Sequence, residues 1–154
     1  MNTKKLFDLS DKVIIITGAA GNLGSQYAEG LSEVGANVVL GDLDYTKCKQ
    51  LSTKLKKKYG VDPLPLKLDL TKKISISNLV TKTIKKYSKI DVLINNAAYQ
   101  GNSKIRKTSF EELSLLDWNE AISVNLTGIF LACQQIGKIM KKGIILTFVV
   151  KYFQ

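Results

Sequence analysis

The stretch that most constrains the fold is residues 13–24, which read VIIITGAAGNLG. The four β-branched residues from Val13 to Ile16 predict a strand that is buried on both of its faces. A small, glycine-rich segment from Thr17 to Gly24 follows at once, and a helical pattern begins after it. In such a turn, backbone N–H groups at the start of a helix can closely approach the oxygens of a diphosphate. The stretch therefore predicts a dinucleotide-binding turn, and the alternative is an ordinary connection between a strand and a helix.

Strands and helices alternate along the remainder of the chain. The first helix is predicted from the apolar residues Leu23, Tyr27, Leu31 and Val34, and Gly35 is a stop signal after it. Further helices are predicted over a lysine-rich segment that closes at Tyr59-Gly60, over Ile76–Tyr87 and from about Glu111 to Met140. The predicted strands are Lys12–Thr17, Asn37–Gly41, residues 64–68, Asp91–Ile94 and the final segment GIILTFVVKYF.

This β-α-β-α-β-α-β-α-β order predicts the architecture. Right-handed crossovers fold it into a parallel sheet that helices cover on both faces. A chain of 154 residues is long enough for one domain with a sizeable core. We therefore expect a single α/β domain over residues 1–154, with a Rossmann-like doubly wound parallel sheet of about five strands.

The composition excludes several kinds of function. The chain contains no histidine, which removes mechanisms that use histidine as a base, a triad member or a metal ligand. Cys48 and Cys133 supply neither a disulfide framework nor a metal-ligand spacing, which suits a reducing compartment. The sequence shows no apolar run of membrane-spanning length and no signal-peptide core. We therefore expect a cytoplasmic protein with no membrane partner and no metal.

The net charge of +10 raises the question of nucleic-acid binding. Arg106 is the only arginine among the 23 basic residues, and aromatic residues do not interleave with the lysines. Specific contacts to bases and phosphates favour arginine, and single strands are held on aromatic stacking platforms. Solvated helix faces explain the lysines better, so we expect no nucleic-acid partner.

Asp42 ends the second predicted strand 18 positions after Gly24, a spacing typical of the acidic residue of a dinucleotide site. A carboxylate at this position accepts hydrogen bonds from ribose hydroxyls and repels a 2′-phosphate. No arginine stands beside it in the sequence. Asp42 therefore favours NAD over NADP, although an aspartate in a turn after a strand is a common alternative.

Two short segments of the sequence resemble motifs of the short-chain dehydrogenase/reductase family. TGAAGNLG matches the family's TGxxxGxG turn, with Asn22 in place of the middle glycine. NNAA at Asn95–Ala98 matches the family's NNAG, with Ala98 in place of the glycine. Asparagine tolerates turn conformations, so Asn22 can keep the shape of the loop. The extra methyl group of Ala98 lies where the nicotinamide packs in the family.

Two more segments extend the resemblance from about Asp8 to Phe130. Asp69-Leu70 matches the motif after the family's third strand, where the acidic side chain reaches toward the adenine ring. WNEAISVNLTGIF is similar to the family's long-helix signature. In that signature Asn125 corresponds to the asparagine that kinks the helix and positions a water for proton relay.

The resemblance implies an NAD-dependent oxidoreductase that transfers hydride between nicotinamide and a small alcohol or carbonyl substrate. It implies a homo-oligomer when the chain is full length. It assigns Asn125 to the catalytic relay. The residues that it assigns to the cofactor are Gly18, Ala20, Asn22, Leu23, Gly24, Asp42, Leu43, Asp69, Leu70, Asn96, Ala97 and Ala98.

The family's remaining catalytic residues are missing from the sequence. Where the fifth strand of the family ends in a serine, this chain reads Val149-Val150, and no lysine follows Tyr152 at the required spacing. The only Tyr-x-x-x-Lys spacing is Tyr45 to Lys49, which falls at the adenosine end of the predicted cleft. We interpret that spacing as chance, because a proton-transfer residue must reach the nicotinamide end.

Three functions remain open from the sequence. The first is a dehydrogenase represented by its cofactor half, in a chain that is truncated or frameshifted near Gly143. The second is a catalytically inactive dinucleotide-binding module or pseudoenzyme. The third is another user of the same scaffold, such as a methyltransferase, against which the NNAA and WNEAISVN segments argue. In each case the apolar edge GIILTFVV is expected to be exposed or paired with another chain.

Overall fold

The computed structural model describes residues 7–99, 101, 108–140 and 142–147, and contains a sheet of five parallel strands. The strands lie in the order β3-β2-β1-β4-β5, so the direction of winding reverses between β1 and β4. This confirms the predicted doubly wound, Rossmann-like α/β fold, and such a reversal marks where α/β proteins bind ligands. The strands are β1 Val13–Thr17, β2 Asn37–Asp42, β3 Leu64–Lys67, β4 Val92–Asn95 and β5 Ile144–Thr147.

Helices cover both faces of the sheet, and each begins and ends close to the predicted positions except for the last two. Helix α1 and helix α2 pack on one face, while α3 and α5 pack on the other. Helix α2 ends at Gly60, whose φ of 71° is the left-handed conformation that glycine adopts freely. The helices are α1 Asn22–Glu33, α2 Tyr45–Tyr59, α3 Lys73–Tyr87, α4 Leu115–Ile122 and α5 Ile129–Gly137.

The core lies on both sides of β1, all five residues of which are buried. Successive side chains of a strand point to opposite faces. Ile15 therefore packs with α3 and α5, whereas Ile14 and Ile16 pack with α1 and α2. This central position explains why residues 13–16 are continuously apolar rather than alternating.

The predicted helix from Glu111 to Met140 is helical without a break only over residues 115–137, and it contains a π-helical segment. A short 3₁₀ turn spans Phe110–Glu112, and α4 begins only after Ser114, whose hydroxyl accepts from the N–H of Asp117. Between α4 and α5, residues Ser123–Gly128 form a π-helix. A side-chain cap and a change of helical type thus divide the apolar pattern that suggested one helix.

Two further expectations need correction or lie beyond the described residues. Leu23 was expected on the buried face of α1 but is 51% exposed, and the buried residues of that helix are Gly24, Ala28 and Ser32. The final segment is a strand over Ile144–Thr147, and the remainder of it lies outside the described residues. Within the described ranges, no helix is both long and apolar enough to cross a bilayer.

Candidate dinucleotide site

A cleft of about 780 Å³ opens at the carboxyl edge of the sheet, where the turns after β1, β2, β3 and β4 meet. Its volume lies within the range of ordinary small-molecule pockets. The residues that line it are Gly18, Gly21, Asn22, Leu23, Gly24, Gly41, Asp42, Leu43, Leu68, Asp69, Leu70, Thr71, Asn96, Ala97, Ala98, Tyr99, Gly101 and Val124.

The turn after β1 has no room for side chains at two of its glycines. Gly18 has a φ of +66°, and a Cβ atom there would lie 2.7 Å from the Cα atom of Ala97. A Cβ atom on Gly24 would lie 2.1 Å from the carbonyl oxygen of Gly18 and 2.9 Å from the Cα atom of Ala19. The turn is therefore packed backbone against backbone, which brings the start of α1 directly to the cleft.

The first turn of α1 offers unused hydrogen-bond donors. Gly21 precedes the helix and has no side chain to cap it, and the first helical turn contains no acidic residue. The first bond of the helix runs from the N–H of Ser25 to the carbonyl of Gly21. Within the described part of the chain, the N–H groups of Asn22, Leu23 and Gly24 have no acceptor. Such free donors at a helix N-terminus favour a bound anion.

Residues that follow β4 hold the glycine-rich turn in place. The Asn96 side-chain amide donates to the carbonyl oxygens of Thr17 (3.0 Å) and Gly18 (3.1 Å). The Thr17 hydroxyl accepts in return from the N–H groups of Asn96 (3.1 Å) and Ala97 (3.0 Å). The two turns at the switch point are thus fixed to one another by four hydrogen bonds.

The carboxylate of Asp42 lies at the rim of the cleft in a fixed orientation. One oxygen accepts from the N–H of Ala20 (3.0 Å), and the other accepts from the N–H of Asp44 (3.0 Å). Leu43, between the two acidic residues, is exposed and also lines the cleft. Each oxygen of a carboxylate can accept more than one hydrogen bond, so Asp42 retains acceptor capacity toward the cleft.

Asp69 lies at the rim after β3, with its carboxylate engaged by its own loop. One oxygen accepts from the Thr71 hydroxyl (2.6 Å) and N–H (3.0 Å), and Lys72 lies 3.3 Å from the other. These hydrogen bonds, that of the Thr71 hydroxyl first, hold the pKa of Asp69 below its usual value. Leu70, next to it, is buried against Gly128 of the π-helix. The Asp-Leu motif thus joins the rim of the cleft to the helix that carries Asn125.

Asn125 lies in the π-helix and binds the backbone of the turn after β4. Its side-chain oxygen accepts from the N–H of Tyr99 (2.7 Å), and its amide nitrogen donates to the carbonyl of Tyr99 (3.1 Å). The Tyr99 hydroxyl donates to the Glu120 carboxylate (2.7 Å), and this bond raises the pKa of Tyr99. Asn125 thereby positions the backbone at one end of the cleft, whereas a role in proton relay stays a prediction.

The cleft collects almost every residue that the resemblance assigned to the cofactor. Of those twelve residues only Ala20 does not line it, and Ala20 instead donates its N–H to Asp42. Asn22 begins α1 without a positive φ, so the position does not require glycine for its backbone conformation. The sequence interpretation missed Gly21, Gly41, Leu68, Thr71, Tyr99, Gly101 and Val124, most of which directly adjoin a motif residue.

Among the described residues, the cleft contains no serine and no tyrosine that is followed four residues later by a lysine. Val149, Val150 and Tyr152, at the positions where the serine and the tyrosine were sought, lie outside the described residues. Tyr45 and Lys49 are on α2, and neither lines the cleft. In the described ranges, no group of three or more potential metal-ligating side chains comes together.

Comparisons with known proteins agree with the fold. A family model described as short chain dehydrogenase matches residues 12–149. An NAD-dependent glycerol dehydrogenase of Listeria innocua is 38% identical over 136 residues, which are 88% of this chain and 50% of that protein. A 5-keto-D-gluconate 5-reductase of Escherichia coli strain K12 is 33% identical over 135 residues, which are 88% of this chain and 51% of that protein.

A solved structure extends the similarity to nearly the whole chain. A 7α-hydroxysteroid dehydrogenase, complexed with NADH and 7-oxo glycochenodeoxycholic acid, has a TM-score of 0.86 and 27% sequence identity to this chain. The alignment covers 97% of this chain and 57% of that protein. This chain therefore spans about half the length of the relatives that it matches.

Proposed function

The chain belongs to the short-chain dehydrogenase family, and from that premise we propose that it is the NAD-binding part of an oxidoreductase acting on a small alcohol or carbonyl compound. One observation carries the proposal. The free N–H groups of the first turn of α1 and the fixed carboxylate of Asp42 border the same cleft. Free donors that suit a diphosphate and an acceptor that suits a ribose, in the same cleft, support the binding of one dinucleotide. Membership of the family sets aside the methyltransferase alternative.

Each part of the cleft has a separate role in this proposal. The N–H groups of Asn22, Leu23 and Gly24 would hold the diphosphate, because they are free and lie at the positive end of α1. Asp42 would accept from the ribose hydroxyls, and Asp69 and Leu70 would lie against the adenine end. Asn96, Ala97 and Ala98 would line the nicotinamide end. The bound dinucleotide supplies hydride chemistry, and the residues named here bind and orient it.

The charge of Asp42 supports NAD rather than NADP. A 2′-phosphate would bring two negative charges close to a carboxylate that two backbone N–H groups hold in place. Two unit charges 4 Å apart repel by about 1 kcal/mol in water and by about 4 kcal/mol near a protein surface. We therefore expect NADPH to bind at least about tenfold more weakly than NADH.

A catalytically inactive dinucleotide-binding module is the second candidate, and one observation favours it. The sequence contains a single Tyr-x-x-x-Lys spacing, and that spacing lies on α2 outside the cleft. Such a chain would bind NADH without oxidising any alcohol. By the family resemblance we also propose a cytoplasmic protein that forms a homo-oligomer in its full-length form, with no nucleic-acid or membrane partner.

Titration of the chain with NADH and NADPH, followed by nicotinamide fluorescence and calorimetry, tests the proposal. We expect NADH to bind more tightly, and Asp42→Asn to narrow the difference between the two dinucleotides. Asp44→Asn is the matched control, because Asp44 is close in sequence but caps α2 instead of lining the cleft. Failure of both dinucleotides to bind would reject the proposed site. Assays of alcohol oxidation with the same preparation separate a working dehydrogenase from an inactive module.

A further inference from the structure

The order of the strands gives the direction in which a dinucleotide would lie across the cleft. The function proposed above assigns the diphosphate to the turn after β1 and one ribose to Asp42, which ends β2. Because a diphosphate joins two nucleosides, the second nucleoside extends away from the first. The neighbour of β1 on the side opposite to β2 is β4. The nucleoside that contains the nicotinamide is therefore expected over the turn after β4.

Tyr99 differs from the residues that precede it at this end of the cleft. Those residues are Asn96, Ala97 and Ala98, and their side chains are small. Tyr99 is half-buried, and among the described residues that line the cleft it is the only aromatic one. Aromatic rings pack well against other flat rings, in offset-stacked or edge-to-face arrangements. Of the side chains that line the cleft, Tyr99 is thus the best suited to contact a flat ring.

Three hydrogen bonds fix the position of Tyr99. Its backbone N–H and carbonyl bind the side-chain amide of Asn125, at 2.7 Å and 3.1 Å. Its hydroxyl, at the far end of the ring, donates to the carboxylate of Glu120 (2.7 Å). The bond to Glu120 is the main cause of the raised pKa of Tyr99, and the charge of Asp117 adds to it. The hydroxyl therefore stays protonated at neutral pH, and the ring is held at both ends by one helical segment.

The bond between Tyr99 and Glu120 contributes more to the orientation of the ring than to folding. It joins exposed groups, and such a bond adds little to the stability of the fold because water can replace either partner. A side chain that is already ordered, however, loses less conformational entropy when a ligand binds against it. Val124, one helical turn after Glu120, also lines the cleft, so this face of the helix borders the site.

We propose, resting on the function proposed above, that the Tyr99 ring packs against the nicotinamide ring of the bound dinucleotide, with Glu120 as the positioning residue that holds it there. Tyr99 then determines affinity for the nicotinamide half alone, separately from the contacts to the diphosphate and to the adenosine ribose. ADP-ribose contains the adenosine, the diphosphate and the second ribose but lacks the nicotinamide. Its affinity should therefore be independent of Tyr99, whereas that of NADH should depend on it.

Calorimetric titration of the 154-residue chain and its variants with NADH and with ADP-ribose tests the proposal. Tyr99→Ala should weaken NADH binding by about two- to tenfold and leave ADP-ribose binding unchanged. Glu120→Ala should weaken NADH binding by a smaller factor. Glu120→Gln should restore it, because glutamine keeps an oxygen that can accept from the Tyr99 hydroxyl. Tyr45→Ala is the matched control, because Tyr45 is exposed on α2, does not line the cleft, and should leave the ratio of the two affinities unchanged.

Circular dichroism shows which variants are folded, and the exposed Glu120 variants keep the test decisive if Tyr99→Ala does not fold. Equal losses of NADH and ADP-ribose affinity in the Tyr99 and Glu120 variants would overturn the proposal, as would no loss of either. A less stable Glu120→Ala variant with an unchanged ratio of the two affinities would show a purely structural bond and would also overturn it. If the unaltered chain bound ADP-ribose as tightly as NADH, only the contact with nicotinamide would be rejected. If it bound neither, the proposed function would be rejected, and this contact with it.

Discussion

Helix α1 contains two glycines that differ in their surroundings. Alanine substitutions at them therefore distinguish an effect on the cleft from an effect on helical propensity alone. Gly24, in the first turn, would place a Cβ atom 2.1 Å from the carbonyl oxygen of Gly18 and 2.9 Å from the Cα atom of Ala19. Gly30, later in the same helix, is exposed and has no atom within 4 Å of a Cβ position. Alanine stabilises the interior of a helix by about 1 kcal/mol relative to glycine.

The expected free energies of unfolding follow from these distances. Gly30→Ala should stabilise the chain by about 0.5–1 kcal/mol, because only the helical propensity changes. At Gly24 the obstructing atoms belong to the backbone, and ordinary contact begins at 3.4 Å, so the turn must move by more than 1 Å. Overpacking costs about 1–3 kcal/mol, and an immobile obstruction places this site at the upper end. Gly24→Ala should therefore destabilise the chain by about 1–2 kcal/mol after the gain in propensity.

Urea unfolding followed by circular dichroism measures the stabilities of both variants, and fluorescence titration measures their affinity for NADH. Gly24→Ala should weaken NADH binding at least about tenfold, because the displaced turn carries the N–H groups assigned to the diphosphate. Gly30→Ala should bind NADH as the unaltered chain does. If Gly24→Ala kept both its stability and its NADH affinity, the inference that the turn has no room for a side chain would be refuted.

Three further predictions concern the ion pairs of Glu29, the hydrogen bonds from Asn96 to the glycine-rich turn, and the reactivity of the two cysteines. Hydrogen bonds from Lys58 and Lys54 of α2 lower the pKa of Glu29 from 4.5 to about 2. The charged Glu29 side chain therefore stabilises the folded chain above pH 4.5, and this stabilisation is lost toward pH 2. Glu29→Gln should therefore lower the urea midpoint at pH 7 by an amount that disappears toward pH 2, whereas Glu33→Gln on the same helix should not. Asn96→Ala should lower the free energy of unfolding by about 1–3 kcal/mol in urea titrations, because two backbone carbonyls of the turn lose their donor. A thiol reagent should label Cys133 but not Cys48 in the folded chain, because Cys48 is buried and burial raises its pKa to about 12. Labelling of a folded Cys133→Ser variant would contradict this prediction.

The order and type of the elements could be predicted because their patterns are strong and local. Residues 13–16 are continuously apolar, and all of them are buried at the centre of the sheet. Right-handed crossovers then leave few ways to arrange alternating strands and helices. The ends of the strands could be predicted only to within a residue, because one extra residue at a strand end hardly changes the apolar pattern. β2 thus extends to Asp42, and β4 spans Val92–Asn95 instead of Asp91–Ile94.

The division of the last predicted helix could not be found from periodicity. The π-helix spans only six residues inside a longer helical stretch, which is too short for the apolar spacing to reveal it. What distinguishes it is a contact with a distant segment, the two hydrogen bonds between Asn125 and the backbone of Tyr99. The sequence resemblance marked Asn125 as the site of a kink, but the partner of its side chain became visible only in three dimensions.

Leu23 shows most clearly why a local rule fails at the cleft. Its helical spacing with Tyr27, Leu31 and Val34 predicts burial, yet it is 51% exposed and lines the cleft. The start of α1 cannot turn Leu23 toward the sheet, because Gly24 occupies the position where the helix approaches the backbone of Gly18. A half-exposed apolar side chain leaves apolar area in contact with water. Beside free N–H donors, however, it can exclude water from a bound anion. The departure from the helical pattern therefore lies where the proposed cofactor site needs it, as expected when a functional site overrides local preference.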